Sequence, residues 1–150
     1  MPETLAVVTP WWPSPHMPMR GSFVEAQVRA VRPTTGRIDV LATDGWIAQR
    51  ALFVRGAQRR HYRDLSATAV RPVLQDGYWL TRLPVLVQSR PTWADYARTV
   101  ADGVRAARSG RKLDAAVVHG HVGLPGGLVA VENAPAGARV VVTEHASYLD

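Results

Sequence analysis

An α/β fold built on a mainly parallel, doubly wound sheet is what this sequence predicts, and three observations lead there. Apolar runs of strand length, rich in valine, recur at residues 5–9, 37–43, 115–119 and 139–143. Segments of helical period stand between several of them. Each run is closed by a glycine, a proline or a polar turn, the alternation that βα units produce. A length of 150 residues, with 47% hydrophobic and 20% charged residues, suits a single domain with a core of ordinary size.

Residues 5–9 read as a buried first strand, ended by Pro10. Pro10, Pro13, Pro15 and Pro18 then preclude a regular helix or a central strand before Gly21. Ser22 and Glu25 have capping-box spacing, and Val24, Val28 and Val31 repeat at helical period until Pro33. The second strand covers 37–43. Residues 44–68 are hard to read and suggest a short helix or an excursion. Residues 69–74 and 78–87 have strand character around Asp76-Gly77, which fits either a hairpin or a strand beside a long loop.

The clearest helix spans 91–108. Thr92 and Asp95 form a second capping-box pattern, Trp93, Ala97, Val100, Val104 and Ala107 share a face, and Gly110 offers a stop. Residues 115–119 form the next strand. Pro125 can open a short helix reaching about Asn133, because its missing amide costs nothing in a first turn. Residues 139–143 complete a Rossmann-like order.

Composition narrows function. The chain has no cysteine, so disulfides, thiolate metal sites and thiol nucleophiles are excluded. Residues 1–10 lack the pattern of a secretory leader, and the apolar runs are too short to cross a bilayer. A cytoplasmic location is the expectation. Net charge is +6, and all but one of the 18 basic residues are arginine. That charge suits a nucleotide diphosphate, a phospholipid surface or nucleic acid. A general bias towards arginine explains it equally, since Arg29, Arg50, Arg71, Arg98 and Arg139 lie in different segments. Only residues 55–63, with Arg59, Arg60 and His61, form a cluster. The tryptophans do not interleave with a basic stripe, so no nucleic-acid partner is expected. Trp11 and Trp12 can stack on an acceptor sugar, rest on an anionic membrane beside Arg20, or pack over the first helix.

Three segments fall at the carboxyl ends of strands, where open α/β sheets bind ligands. Arg20-Gly21-Ser22-Phe23 follows the first. There Gly21 allows close backbone approach, and the helix starting at Ser22 points amides and a partial positive charge outward. His119-Gly120-His121-Val122-Gly123-Leu124-Pro125-Gly126-Gly127 follows the strand at 115–119. His119 and His121, two apart on an extended chain, point the same way and can donate to a sugar hydroxyl or a phosphate or act as a base, with His121 the candidate catalytic residue. Gly123 permits close contact. Thr143-Glu144-His145-Ala146-Ser147 follows the last strand, with Glu144 and His145 as an acid–base pair, a polar clamp, or capping and surface residues. His119, His121 and His145 have no carboxylate at ligand spacing, so no metal is predicted. A dinucleotide fingerprint, a P-loop and a serine-hydrolase elbow are all missing.

Taken together, these stretches resemble family-four GT-B glycosyltransferases. Val7-Val8-Thr9-Pro10-Trp11, running through Pro15 to Arg20-Gly21-Ser22-Phe23 and Gln27, resembles the first strand and glycine loop of that family. Val118-His119-Gly120-His121, with Gly123-Leu124-Pro125-Gly126-Gly127, resembles its fourth-strand motif, and Val141-Val142-Thr143-Glu144-His145-Ala146-Ser147 the strand end after it. The resemblance implies the amino-terminal, acceptor-side domain of a GT-B fold across residues 1–150. It implies sugar transfer with retention from a nucleotide-diphosphate sugar to an acceptor hydroxyl, without a cofactor or metal. Gly21 would meet the donor diphosphate through its backbone, His121 the transferred sugar, and Glu144 and His145 would line the cleft. Arg20 joins as a phosphate partner on charge alone. The family's carboxyl-terminal donor domain, with a basic pair and two glutamates eight positions apart, has no counterpart here. The expectation is therefore little turnover without a donor domain in cis or on another chain. The competing expectation is a non-catalytic Rossmann-like module that binds a phosphorylated ligand or a partner protein.

Overall fold

The computed structural model describes residues 3–47, 56–67, 70–87 and 92–145. In chain order they form β1 (Thr4–Thr9), α1 (Ser22–Val31), a 3₁₀ turn (Arg32–Thr34), β2 (Arg37–Ala42), β3 (Gly45–Ile47), α2 (Ala57–Ala67), β4 (Val73–Gln75), β5 (Tyr78–Arg82) and β6 (Val85–Val87). There follow α3 (Trp93–Ala107), β7 (Val117–His121), a wide turn (Gly123–Gly127), α4 (Leu128–Asn133) and β8 (Arg139–Thr143). Six strands make one sheet in the order β4-β5-β2-β1-β7-β8, parallel except for β4 at one edge. β3 and β6 pair separately, also in parallel. The expected α/β, mainly parallel, Rossmann-like architecture is present.

Alternation along β1 builds two cores. Val7 faces α1 and packs with Val24, Val28, Ile38, Val40 and Tyr78. Ala6 and Val8 face the opposite side, where Val100, Ala101 and Val104 of α3 and Val129 and Ala130 of α4 cover Val118. Burying each such valine stabilises the fold by about 1.5–3 kcal/mol. Helices therefore lie on both faces of the sheet, as a buried parallel sheet requires. From β1 the chain steps to β2 and β5 on one side, then returns to β7 on the other. Strand order reverses between β1 and β7, the position at which open α/β sheets bind ligands beyond the carboxyl ends of their strands.

Several local expectations need correction. Ser22 and Glu25 form no capping box: Gly21 caps α1 in the left-handed region (φ 70°) without a side-chain bond. The Glu25 carboxylate instead accepts from Arg29 and from the Tyr78 hydroxyl, each at 3.0 Å. Pro125, by contrast, does stand at the start of a helix. After a cis Leu124–Pro125 peptide, the wide helical turn Gly123–Gly127, in which only Leu124 is non-helical, runs straight into α4, which ends at Asn133. The strand expected at 115–119 lies two residues later. The run at 78–87 is two strands, broken at Leu83-Pro84 and placed in different sheets. Trp93 and Ala107 are exposed, so the buried face of α3 is Ala97, Val100, Ala101 and Val104.

Other features hold. Thr92 and Asp95 form the full capping box, with Thr92 Oγ1 accepting from the Asp95 amide at 3.1 Å. Asp76-Gly77 turns the β4–β5 hairpin. Residues 44–68 contain β3 and α2, and residues 48–55 and 68–69 lie outside the described set, as do Pro91, Ala146 and Ser147. No helix among the described residues is long and apolar enough to cross a membrane.

Candidate functional site

The segments following β1, β7 and β8 meet at the crevice. Strand pairing explains the second and third, because parallel register sets His119 beside Val141 and His121 beside Thr143. His119 and His121 project from the same face with ring centroids 4.2 Å apart. His119 Nε2 shares a 2.7 Å hydrogen bond with Thr143 Oγ1. His121 Nδ1 shares one of 2.9 Å with His145 Nε2, and those two rings lie nearly parallel, 5.2 Å apart. The first segment closes the group: the ring of Phe23, the second residue of α1, meets His145 edge-on at 4.5 Å and Trp11 at 6.2 Å.

Accessibility differs sharply within this cluster. His121 is only 1% exposed, whereas His119 and His145 are partly buried. Desolvation by burial pulls the His121 pKa down to about 4, helped by the neighbouring His119 and His145. Burial also lowers that of His119. Both rings are therefore neutral at physiological pH, and each offers one donor and one acceptor nitrogen. An incoming group meets His145 first. His121 acts behind it, fixing the His145 ring through their shared bond.

Glu144 takes a specific role. Its carboxylate accepts from the Gly123 amide at 2.7 Å and from the His145 amide at 2.9 Å, tying the turn after β7 to the end of β8. Glycines let the wide turn lie against the strand end: a Cβ on Gly120 would stand 2.7 Å from the Gly126 carbonyl oxygen. At Gly21 a Cβ would collide with the Trp11 carbonyl, so only glycine fits the loop before α1. Ser22 starts that helix, so its positive dipole end lies in the segment after β1, where the Ser22 amide donates to the Met19 carbonyl and the Val24 and Glu25 amides to that of Gly21.

Arg20 has a different setting from the rest. Its guanidinium donates to Asp44 Oδ1 at 3.1 Å and to the Pro10 carbonyl at 3.0 Å. Asp44, fully buried after β2, also accepts from His61 at 3.1 Å and lies 3.5 Å from Arg82. The expected basic cluster on α2 thus splits, with His61 turned inward and Arg59 and Arg60 exposed. Sequence reasoning missed this ion cluster, and also Phe23 as a contact of His145. For Asp44 no local signal exists, since its partners come from distant segments. Phe23 stood in a quoted motif, and its position one residue into a helix at a strand end was the available clue.

Of the two tryptophans, Trp12 takes the packing alternative: it is buried against Tyr78, ring centroids 5.6 Å apart. Trp11 leans on Phe23. Among the described residues no group of three or more His, Asp or Glu side chains is arranged to hold a metal ion. Comparison with protein-family models, with curated proteins and with solved structures finds no match to this chain.

Proposed function

We propose that this chain forms the acceptor-side half of a retaining GT-B glycosyltransferase, moving a sugar from a nucleotide-diphosphate donor to an acceptor hydroxyl. The observation that supports the reading most is the contact chain Phe23–His145–His121, because it draws all three motif segments to one crevice at the strand-order reversal. In this reading the backbone at Gly21 and the positive end of the α1 dipole receive the donor diphosphate and stabilise the charge that develops as it leaves. His145 and His119 donate hydrogen bonds to sugar hydroxyls. His121 is a positioning residue that sets the His145 ring. Glu144 holds Gly123 and the His145 backbone in place, so the cleft wall is formed before the ligand arrives. Arg20 contributes its charge only as part of the Asp44 cluster, leaving phosphate recognition to backbone dipoles. Nucleotide contacts belong to a donor domain in cis or on a separate chain.

Transfer assays test this reading. The 150-residue chain alone should show negligible turnover with nucleotide sugars, and co-expression with a GT-B donor domain should restore it. His145→Ala and His121→Ala should each then reduce transfer by roughly 100-fold or more, the scale of losing a preorganised hydrogen-bond donor. Full activity of both variants would remove the imidazoles from the mechanism.

The burial of His121 favours a second reading, a non-catalytic module in which the imidazoles only shape a binding surface for a phosphorylated ligand or partner. Calorimetry separates the two. The module needs useful affinity for a nucleotide sugar or phosphorylated ligand without any second domain, while the transferase half does not.

A further inference from the structure

The loop from Pro10 to Arg20 is poorly equipped to hold itself in shape. Pro10, Pro13, Pro15 and Pro18 each lack a backbone donor. Within the loop, Ser14 and Met17 exchange backbone hydrogen bonds, and the Arg20 amide reaches Met17. Pro10 is buried and Pro13 half-buried, so their carbonyls need donors from elsewhere in the fold. Two guanidinium groups supply them. Arg20 Nη2 donates to the Pro10 carbonyl at 3.0 Å, and Arg82 Nη2 donates to that of Pro13. The other arm of each is directed at Asp44. Arg20 Nη1 donates to its Oδ1 at 3.1 Å, and Arg82 Nη1 lies 3.5 Å from its Oδ2. One buried carboxylate thus aims two forks, and each fork grips a carbonyl of the same loop.

What the grip holds is one wall of the histidine site. Gly21 lies against the Trp11 carbonyl, between the two gripped residues, with no room for a Cβ. The Trp11 ring meets Phe23 at 6.2 Å, and Phe23 meets His145 at 4.5 Å. A shift of residues 10–13 therefore passes to Gly21, Phe23 and His145 through direct contact. For stability alone, apolar residues of similar volume serve as well as a buried ion cluster. They cannot grip two carbonyls.

We infer that Asp44, Arg20 and Arg82 are positioning residues, a clamp that sets the Pro10–Pro13 segment so that Gly21, Phe23 and His145 stand in place for a ligand. The effect of the clamp on sugar transfer rests on the glycosyltransferase reading, whereas the positioning itself does not.

Arg82→Lys and Arg20→Lys test the clamp, because a compact ammonium keeps the charge but lacks the fork's second arm. Backbone amide shifts of the labelled 150-residue chain are compared with those of the parent and of Thr92→Ala, which weakens a helix cap away from the clamp. The amides of Trp11, Phe23 and His145, none of them a sequence neighbour of Arg82 or Arg20, should move in both lysine variants and stay in Thr92→Ala. With a co-expressed GT-B donor domain, the donor KM should also rise roughly 10-fold, which a smaller folded fraction does not produce. Either lysine variant that melts cooperatively decides the matter. Parent-like amides at Phe23 and His145 in that variant would overturn the clamp. Equal displacement in Thr92→Ala would overturn it too, since any loss of stability would then move them. Displaced amides in a chain whose parent transfers no sugar would uphold the clamp and count against the transferase reading.

Discussion

The two ends of the sheet's carboxyl edge handle buried polar groups in opposite ways. Beyond β2 and β5 the polar groups are ions: Asp44 has no solvent contact and is surrounded by Arg20, Arg82 and His61. Beyond β7 and β8 they are imidazoles, of which His119 and His121 stay neutral because burial makes charge unfavourable. The ion cluster links the loop after β1, α2 and the end of β5, so its charges depend on one another. The histidine cluster is linked by single hydrogen bonds, with its outer ring open to a ligand. Mutual dependence suits a structural hub, and loosely tied neutral donors suit recognition of a polar sugar.

If that contrast is right, breaking the hub should have the largest effect. Asp44→Ala leaves Arg20 and Arg82 without their counter-ion and His61 without its hydrogen-bond partner, and the predicted loss of stability is about 3–5 kcal/mol. Urea denaturation monitored by tryptophan fluorescence measures it, and a loss under 1 kcal/mol would mean that solvent or another group already neutralises the cluster.

Acid should find the histidine cluster next. His121 has a folded pKa of about 4, depressed from an ordinary 6.5, so the unfolded chain binds its proton first as pH falls. The stability owed to neutral His121 is fully present above pH 6.5 and is lost progressively between 6.5 and 4, by about 3 kcal/mol in all. His119 acts in the same direction. A series of urea midpoints across this range should slope downward towards acid, and His121→Asn should flatten the slope. An unchanged slope in the variant would place the titration elsewhere.

Backbone fit gives a smaller effect. Gly21→Ala forces a Cβ onto the Trp11 carbonyl at a positive φ, for a predicted cost of about 2 kcal/mol. A melting temperature within a degree of the parent would show that the loop simply moves aside. Smallest is Thr92→Ala, which removes one half of the α3 capping box for about 1 kcal/mol. It should leave the acid slope owed to His121 untouched, and this is readable by the same melts across pH.

Features carried by adjacent residues were legible in the sequence. The valine run of β1, the Thr92–Asp95 box and the Asp76-Gly77 turn each depend on neighbours within a few positions, and each is present. Ser22–Glu25 had the same spacing as the working box but failed, because Tyr78 and Arg29 compete for Glu25 and neither is visible at that range. Pro125 was legible for the same local reason as the working box: helical backbone starts at it and runs through Gly127 into α4, as a first-turn proline suggests. The meeting of His121 with His145 follows from parallel register once strands are assigned. Nothing near Asp44, by contrast, announces its three distant partners.

The most direct test of the account is backbone amide shift mapping of the isotopically labelled chain, co-expressed with a GT-B donor domain and titrated with UDP-glucose and with GDP-mannose. The account predicts that amides at Gly21, Ser22, Phe23, Gly123 and His145 shift together along one saturable curve with at least one of them. Shifts confined to the β4–β5 end of the sheet, or none near His145 at millimolar donor, would contradict it.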